Sequence, residues 1–121
     1  MKTNPVRRTL FIRQEREDGI MLYAVTATLI EERAADFYGH LTDGSIEGQQ
    51  PDGAEIVDSM QRARIGPDGR VRWTEVCFCA TPLAHERQTQ LDTYFTDIET
   101  QESDEHRTFD GSPLMDRLAA A

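Results

Sequence analysis

The segment from Arg70 to Ala80 leaves this chain the least freedom in how it folds. Val71, Trp73, Glu75, Cys77 and Cys79 alternate with Arg72, Thr74, Val76, Phe78 and Ala80, which is the period of a β-strand. The four residues before it, Gly66-Pro67-Asp68-Gly69, spell a reverse turn. A strand ending at Ile65, however short, is therefore expected to pair with it as a hairpin. Behind it, Thr81 and Pro82 read as an N-cap and a first helical position. The helix they open is expected to run from Leu83 to Ile98, burying Ala84, Leu91, Tyr94, Phe95 and Ile98.

The first half repeats this order. Arg7 to Gln14 reads as a short strand, and Glu15-Arg16-Glu17-Asp18-Gly19 as the turn after it. Ile20 to Leu29 is rich in β-branched and aromatic residues. One face carries Met21, Tyr23, Val25 and Ala27, the other Leu22, Ala24, Thr26 and Thr28, so the strand reads as apolar on both sides. From Glu31 to Leu41 the period changes to that of a helix, with Ile30, Ala34, Phe37, Tyr38 and Leu41 on one stripe. Thr42 to Gly53 is a loop rich in Gly, Asp and Gln, and Ala54 to Ile65 suits a helix in its first part and a strand in its last. Near the end, Gln101 to Glu105 reads as a connection, Arg107 to Phe109 as an edge strand, and Ser112-Pro113 as the cap of a last helix through Leu118.

This order predicts an α+β domain with a split β-α-β, ferredoxin-like sheet, an N-terminal hairpin strand and a short C-terminal helix. A chain of 121 residues is one domain, 1–121, with 1–6 and 119–121 expected as flexible ends. Helices on one side of strands that are apolar on both leave a face to cover. A second copy is the expected cover, giving a homodimer.

Composition excludes several classes. A net charge of −9 argues against nucleic-acid binding, because neutralising phosphates supplies most of that affinity. No apolar run approaches the length of a membrane span or a secretory signal, so a chain acting in the cytoplasm is expected. Cys77 and Cys79 alternate with Phe78, an arrangement ill suited to a disulfide and consistent with reduced thiols. Charge is also uneven: residues 1–19 are slightly basic, whereas acidic residues dominate from Leu83 onward. Such an end is ordinarily a solvated surface, but it also suits docking on a basic protein and, as a minor variant, imitation of nucleic-acid charge.

No motif of high specificity is present. Cys77, Cys79, His85 and His40 could in principle close around zinc, but the spacing lacks a second ligand pair. No metal and no cofactor is expected. Glu75 is the residue that stands out, a carboxylate on a face otherwise made of Val71, Trp73 and Cys77. Burial would raise its pKa into the range of a general acid or base, whereas a salt bridge to Arg62 or Arg64 is the plainer reading. Glu75, His85 and Tyr94 are the catalytic candidates. Trp73, Tyr23, Tyr38 and His40 are the candidates for lining a ligand pocket. Glu86 and Arg87 read as solvated first-turn residues. Two functions stay open: a small-molecule-binding domain, with or without acid–base catalysis, and a non-catalytic acidic accessory protein.

Overall fold

The computed structural model describes residues 21–77 and 81–121. The expected strand at Arg7 to Gln14 and its turn lie outside the described residues, as do Phe78, Cys79 and Ala80. The chain forms β1 (Met21–Leu29), a 3₁₀ turn (Glu31–Arg33), α1 (Ala34–Thr42), α2 (Gly53–Arg62), β2 (Arg64–Ile65) and β3 (Arg70–Cys77). Then come α3 (Ala84–Glu86), a π-helical turn (Arg87–Leu91), α4 (Asp92–Tyr94), β4 (Phe95–Glu102), β5 (Ser112–Pro113) and α5 (Leu114–Ala119). It is an α+β domain whose five strands lie in the order β4-β1-β3-β2-β5, every neighbouring pair antiparallel. Between Tyr23 and Thr28, β1 is paired along both its edges.

Register sets the core. Tyr23 faces Glu75, Val25 faces Trp73 and Ala27 faces Val71 across the β1–β3 ladder, and all six side chains are buried. Phe37 and Leu41 of α1, Met60 of α2, Leu91, and Leu114 and Leu118 of α5 pack into the same cluster. Phe37 touches Phe95 edge-on at 5.7 Å, and Phe95 lies 5.2 Å from Trp73. The two faces of β1 differ more than the sequence suggested. Its odd-numbered residues from Tyr23 to Leu29 are buried, whereas Leu22, Ala24, Thr26 and Thr28 are half-exposed. After β4 the chain returns over that second face at Thr74, whose hydroxyl is bonded to His106 at 2.8 Å and accepts from the Arg107 N–H.

Three boundaries depart from the sequence reading. The helix after β3 starts at Ala84, not at Thr81-Pro82, because Leu83 adopts a left-handed conformation (φ 57°). It also stops at Tyr94 rather than Ile98. Phe95 must reach the sheet to meet Trp73 and Phe37, and the Tyr94 carbonyl is held by the Ile30 N–H at 2.9 Å, so 95–102 becomes a strand and not a helix end with a connection. Finally, the edge strand expected at Arg107 to Phe109 lies at Ser112–Pro113, paired with Arg64–Ile65. The ambiguous stretch resolves as both structures in turn: α2, then β2.

α2 begins against the loop that precedes it. A Cβ on Gly53 would lie 2.0 Å from the Ile46 carbonyl oxygen, so only glycine allows this approach. The approach holds Asp52 at the N-terminal end of α2, 3% exposed, with its side chain turned away from the helix.

A buried carboxyl pair and its link to the surface

Glu75 projects from the middle of β3 into the core and is 0% exposed. It makes no salt bridge to Arg62 or Arg64. Arg62 instead bonds Glu55 at 3.4 Å and donates to the Thr74 carbonyl at 2.8 Å. Beside Glu75 lies Glu86, which is 1% exposed, and the two carboxyl groups act on each other in the core. The solvated Glu86 expected from sequence is thus corrected. Folding α3 onto β3 turns that side chain inward, where the Trp73 indole N–H also donates to Glu75 at 2.5 Å.

Two ionised carboxylates side by side in an apolar core repel each other, so the pair favours holding a proton between them. Burial, the largest cause for both, pushes Glu75 up to about 7 and Glu86 up to about 12. The neighbouring charges of Glu75, Asp52 and Cys77 push Glu86 further in the same direction. One oxygen of each group, Glu75 Oε2 and Glu86 Oε1, is buried without a hydrogen-bond partner.

Asp52, whose charge bears on Glu86, is bonded in turn to residues nearer the surface. Its Oδ2 is bonded to His85 Nδ1 at 2.7 Å, and His85 is 39% exposed in its side chain. Its Oδ1 accepts from Gln49 Nε2 at 2.8 Å; Gln49 also donates to Thr89 and accepts from Gln90 Nε2 at 2.8 Å. Gln90 lines a depression of about 250 Å³ together with His40, Ser45, Ile46 and Tyr94. There His40 lies 3.5 Å from Asp36 and is bonded to Ser45 at 3.0 Å, and the Tyr94 hydroxyl donates to Asp36 at 2.9 Å. The Tyr94 ring stacks on Phe37 at 4.1 Å. Burial first, then Asp36, pushes its phenol up to about 12, so it stays protonated and a donor. Ser45 holds the Asp43 carboxyl below its usual range.

The seven residues singled out from sequence fall in three places. His40 and Tyr94 meet at the depression, and His85 joins it through Asp52, Gln49 and Gln90. Glu75, Trp73 and Tyr23 lie together in the core beneath, with Tyr23 directly across from Glu75. Tyr38 packs half-buried against that core. Sequence reasoning missed Glu86, Asp52, Gln49 and Gln90, the residues that join these places. His85 turns to Asp52, while the Cys77 sulfur accepts the Leu83 N–H at 3.2 Å. Among the described residues no group of three or more His, Cys, Asp and Glu is arranged to hold a metal ion. Among them, too, no helix is long and apolar enough to cross a membrane.

No protein-family model, curated protein or solved structure matches this chain.

Proposed function

We propose that this chain is a small-molecule-binding domain that takes its ligand at the His40–Tyr94 depression and acts on it by acid–base chemistry without a cofactor. The observation that carries this reading is the hydrogen-bonded route from the depression through Gln90, Gln49 and Asp52 to His85, in the neighbourhood of a carboxyl pair whose burial favours holding a proton. In this scheme His40 and Tyr94 touch the ligand. His40 accepts a proton, and the Tyr94 hydroxyl, whose one proton is given to Asp36, accepts a hydrogen bond from the ligand. Glu75 and Glu86, closed off from solvent, touch no ligand and act as a proton reserve. Asp36 and Asp43 flank the site, so a polar molecule that is uncharged or cationic suits it best.

The strand order β4-β1-β3-β2, with a helix-bearing connection on either side of the β2–β3 hairpin, supports the ferredoxin-like plan. We take the half-exposed Leu22, Ala24 and Val76 of the second sheet face as the seat of a homodimer, and a reduced, buried Cys77 as the mark of a cytoplasmic chain. Light scattering at micromolar concentration tests the first; a monomer refutes it.

A second reading rests on β4. This strand ends the sheet and carries exposed Asp97, Glu99 and Glu102, an acidic edge suited to a basic protein partner. One experiment separates the two. Amide shifts of the ¹⁵N-labelled protein are followed against a library of small polar fragments and, separately, against an oligolysine peptide. Fragment-induced shifts clustered at His40, Gln90 and Tyr94 support the binding site. Shifts confined to 97–105, and only with the peptide, replace it with the accessory role.

A further inference from the structure

The Glu75–Glu86 contact joins the middle of β3 to the start of the 84–94 helical segment inside the core, which gives its proton a mechanical role. Glu86 ends α3, and the chain continues through a π-helical turn, a form rare in proteins and favoured where a helix must deform. On its N-terminal side, Leu83 holds a left-handed conformation uncommon for a branched residue. Between Ala84 and Tyr94 the inward anchors are Glu86, Leu91 and Tyr94. The remaining ties are His85 to Asp52, Thr89 and Gln90 to Gln49, the Tyr94 hydroxyl to Asp36 and the Tyr94 carbonyl to the Ile30 N–H.

We infer that the proton shared by Glu75 and Glu86 is a latch that fastens the 84–94 helical segment to the sheet, and that losing it releases the segment. Once both groups are ionised, the bond between them becomes a repulsion between like charges in a medium of low polarity. The surroundings favour release. Asp52 and Glu55 face the pair from α2 and its start, and Cys77 faces it from β3; each opposes a second negative charge there. Arg62 is the cation that bears on Glu75, and it is already engaged by Glu55 and the Thr74 carbonyl. Trp73 gives one hydrogen bond, His85 is spent on Asp52, and Tyr23 stands across β1.

The segment supplies Gln90 and Tyr94 to the depression, so release would also dismantle that wall. This consequence rests on the proposed function; the latch itself does not. It is therefore tested without ligand, by hydrogen exchange of the whole chain between pH 6 and pH 9, with rates corrected for the intrinsic pH dependence of exchange. If opening releases one proton, protection across 84–94 falls about tenfold per pH unit over the range where the closed pair still holds it and the opened segment does not. Protection across α1, which the pair does not fasten, falls less than that across 84–94 over the same range. Glu86→Gln, which keeps a donor but has nothing to titrate at that position, cuts the slope of 84–94 protection with pH by half or more. Glu75→Gln does the same if Glu86→Gln does not fold. Flat protection across 84–94 in the wild type overturns the latch. So does an equal fall across α1, which reports global unfolding, or an unchanged slope in either folded variant.

Discussion

Replacing Glu86 by Gln should change how stability depends on pH more than it changes stability itself. In the unfolded chain both glutamates ionise near the ordinary value of 4.5, whereas in the folded chain both are raised. The folded state therefore binds more protons above that pH, and unfolding releases them. The contribution is fully present below about 4.5 and is lost as pH rises towards the folded values. Each retained proton gives a slope of about 1.4 kcal/mol per pH unit, so from pH 5 to pH 7 the wild type loses roughly 3 kcal/mol through Glu86 and about 2 kcal/mol more through Glu75. That is a large share of the 5–15 kcal/mol typical of a whole domain. Asp43 and Asp68 have lowered values, so their effect has the opposite sign and lies in acid, outside this window. Glu86→Gln should cut the slope by half or more, leaving the variant less favoured than wild type at pH 5 and more favoured at pH 8. Urea titrations of both proteins at pH 5, 6, 7 and 8 read this directly. Wild-type stability that is flat or rising over this range refutes the reasoning, as does a variant with the same slope.

Other consequences concern the parts that frame the pair. Gly53→Ala drives a methyl group into the Ile46 carbonyl and should cost about 1–3 kcal/mol in urea unfolding. Tyr94 should ionise only near pH 12 by ultraviolet absorbance, and Asp36→Asn should lower that value, because Asp36 is one of the groups that raise it. Gln49→Ala removes bonds to Asp52, Thr89 and Gln90 together; it should cost about 1 kcal/mol and speed amide exchange across 84–94.

What could be read from sequence followed local rules. The alternation of β3, the Gly66–Gly69 turn, the apolar stripe of α1 and the short last helix depend on neighbours along the chain, and each lies near where it was expected. Glu75 stood out because one charged residue interrupted an apolar face. The end of the helix at Tyr94 could not be read, since Leu91, Tyr94, Phe95 and Ile98 satisfy a helical stripe equally well; contacts of Phe95 with Trp73 and Phe37 decide the matter. Glu86 gave no local signal either. A glutamate beside Ala84 and His85 looks like any first-turn residue, and only the approach of α3 to β3 buries it. Asp52, Gln49 and Gln90 are polar residues of a loop and a helix surface, joined by pairings about 40 residues apart. No periodicity encodes such pairings.

The claim on which the candidate site depends most is that the Glu75–Glu86 pair holds a proton at neutral pH. Carbon-detected NMR of protein labelled at the glutamate carboxyl carbons, titrated from pH 4 to pH 9 and assigned with Glu75→Gln and Glu86→Gln, measures it directly. Two carboxyl signals should keep protonated or shared-proton shifts at pH 7 while the other glutamates have ionised, and both variants should abolish the shared pattern. If Glu75 and Glu86 both titrate with the rest, near 4.5, the pair holds no proton and the account fails.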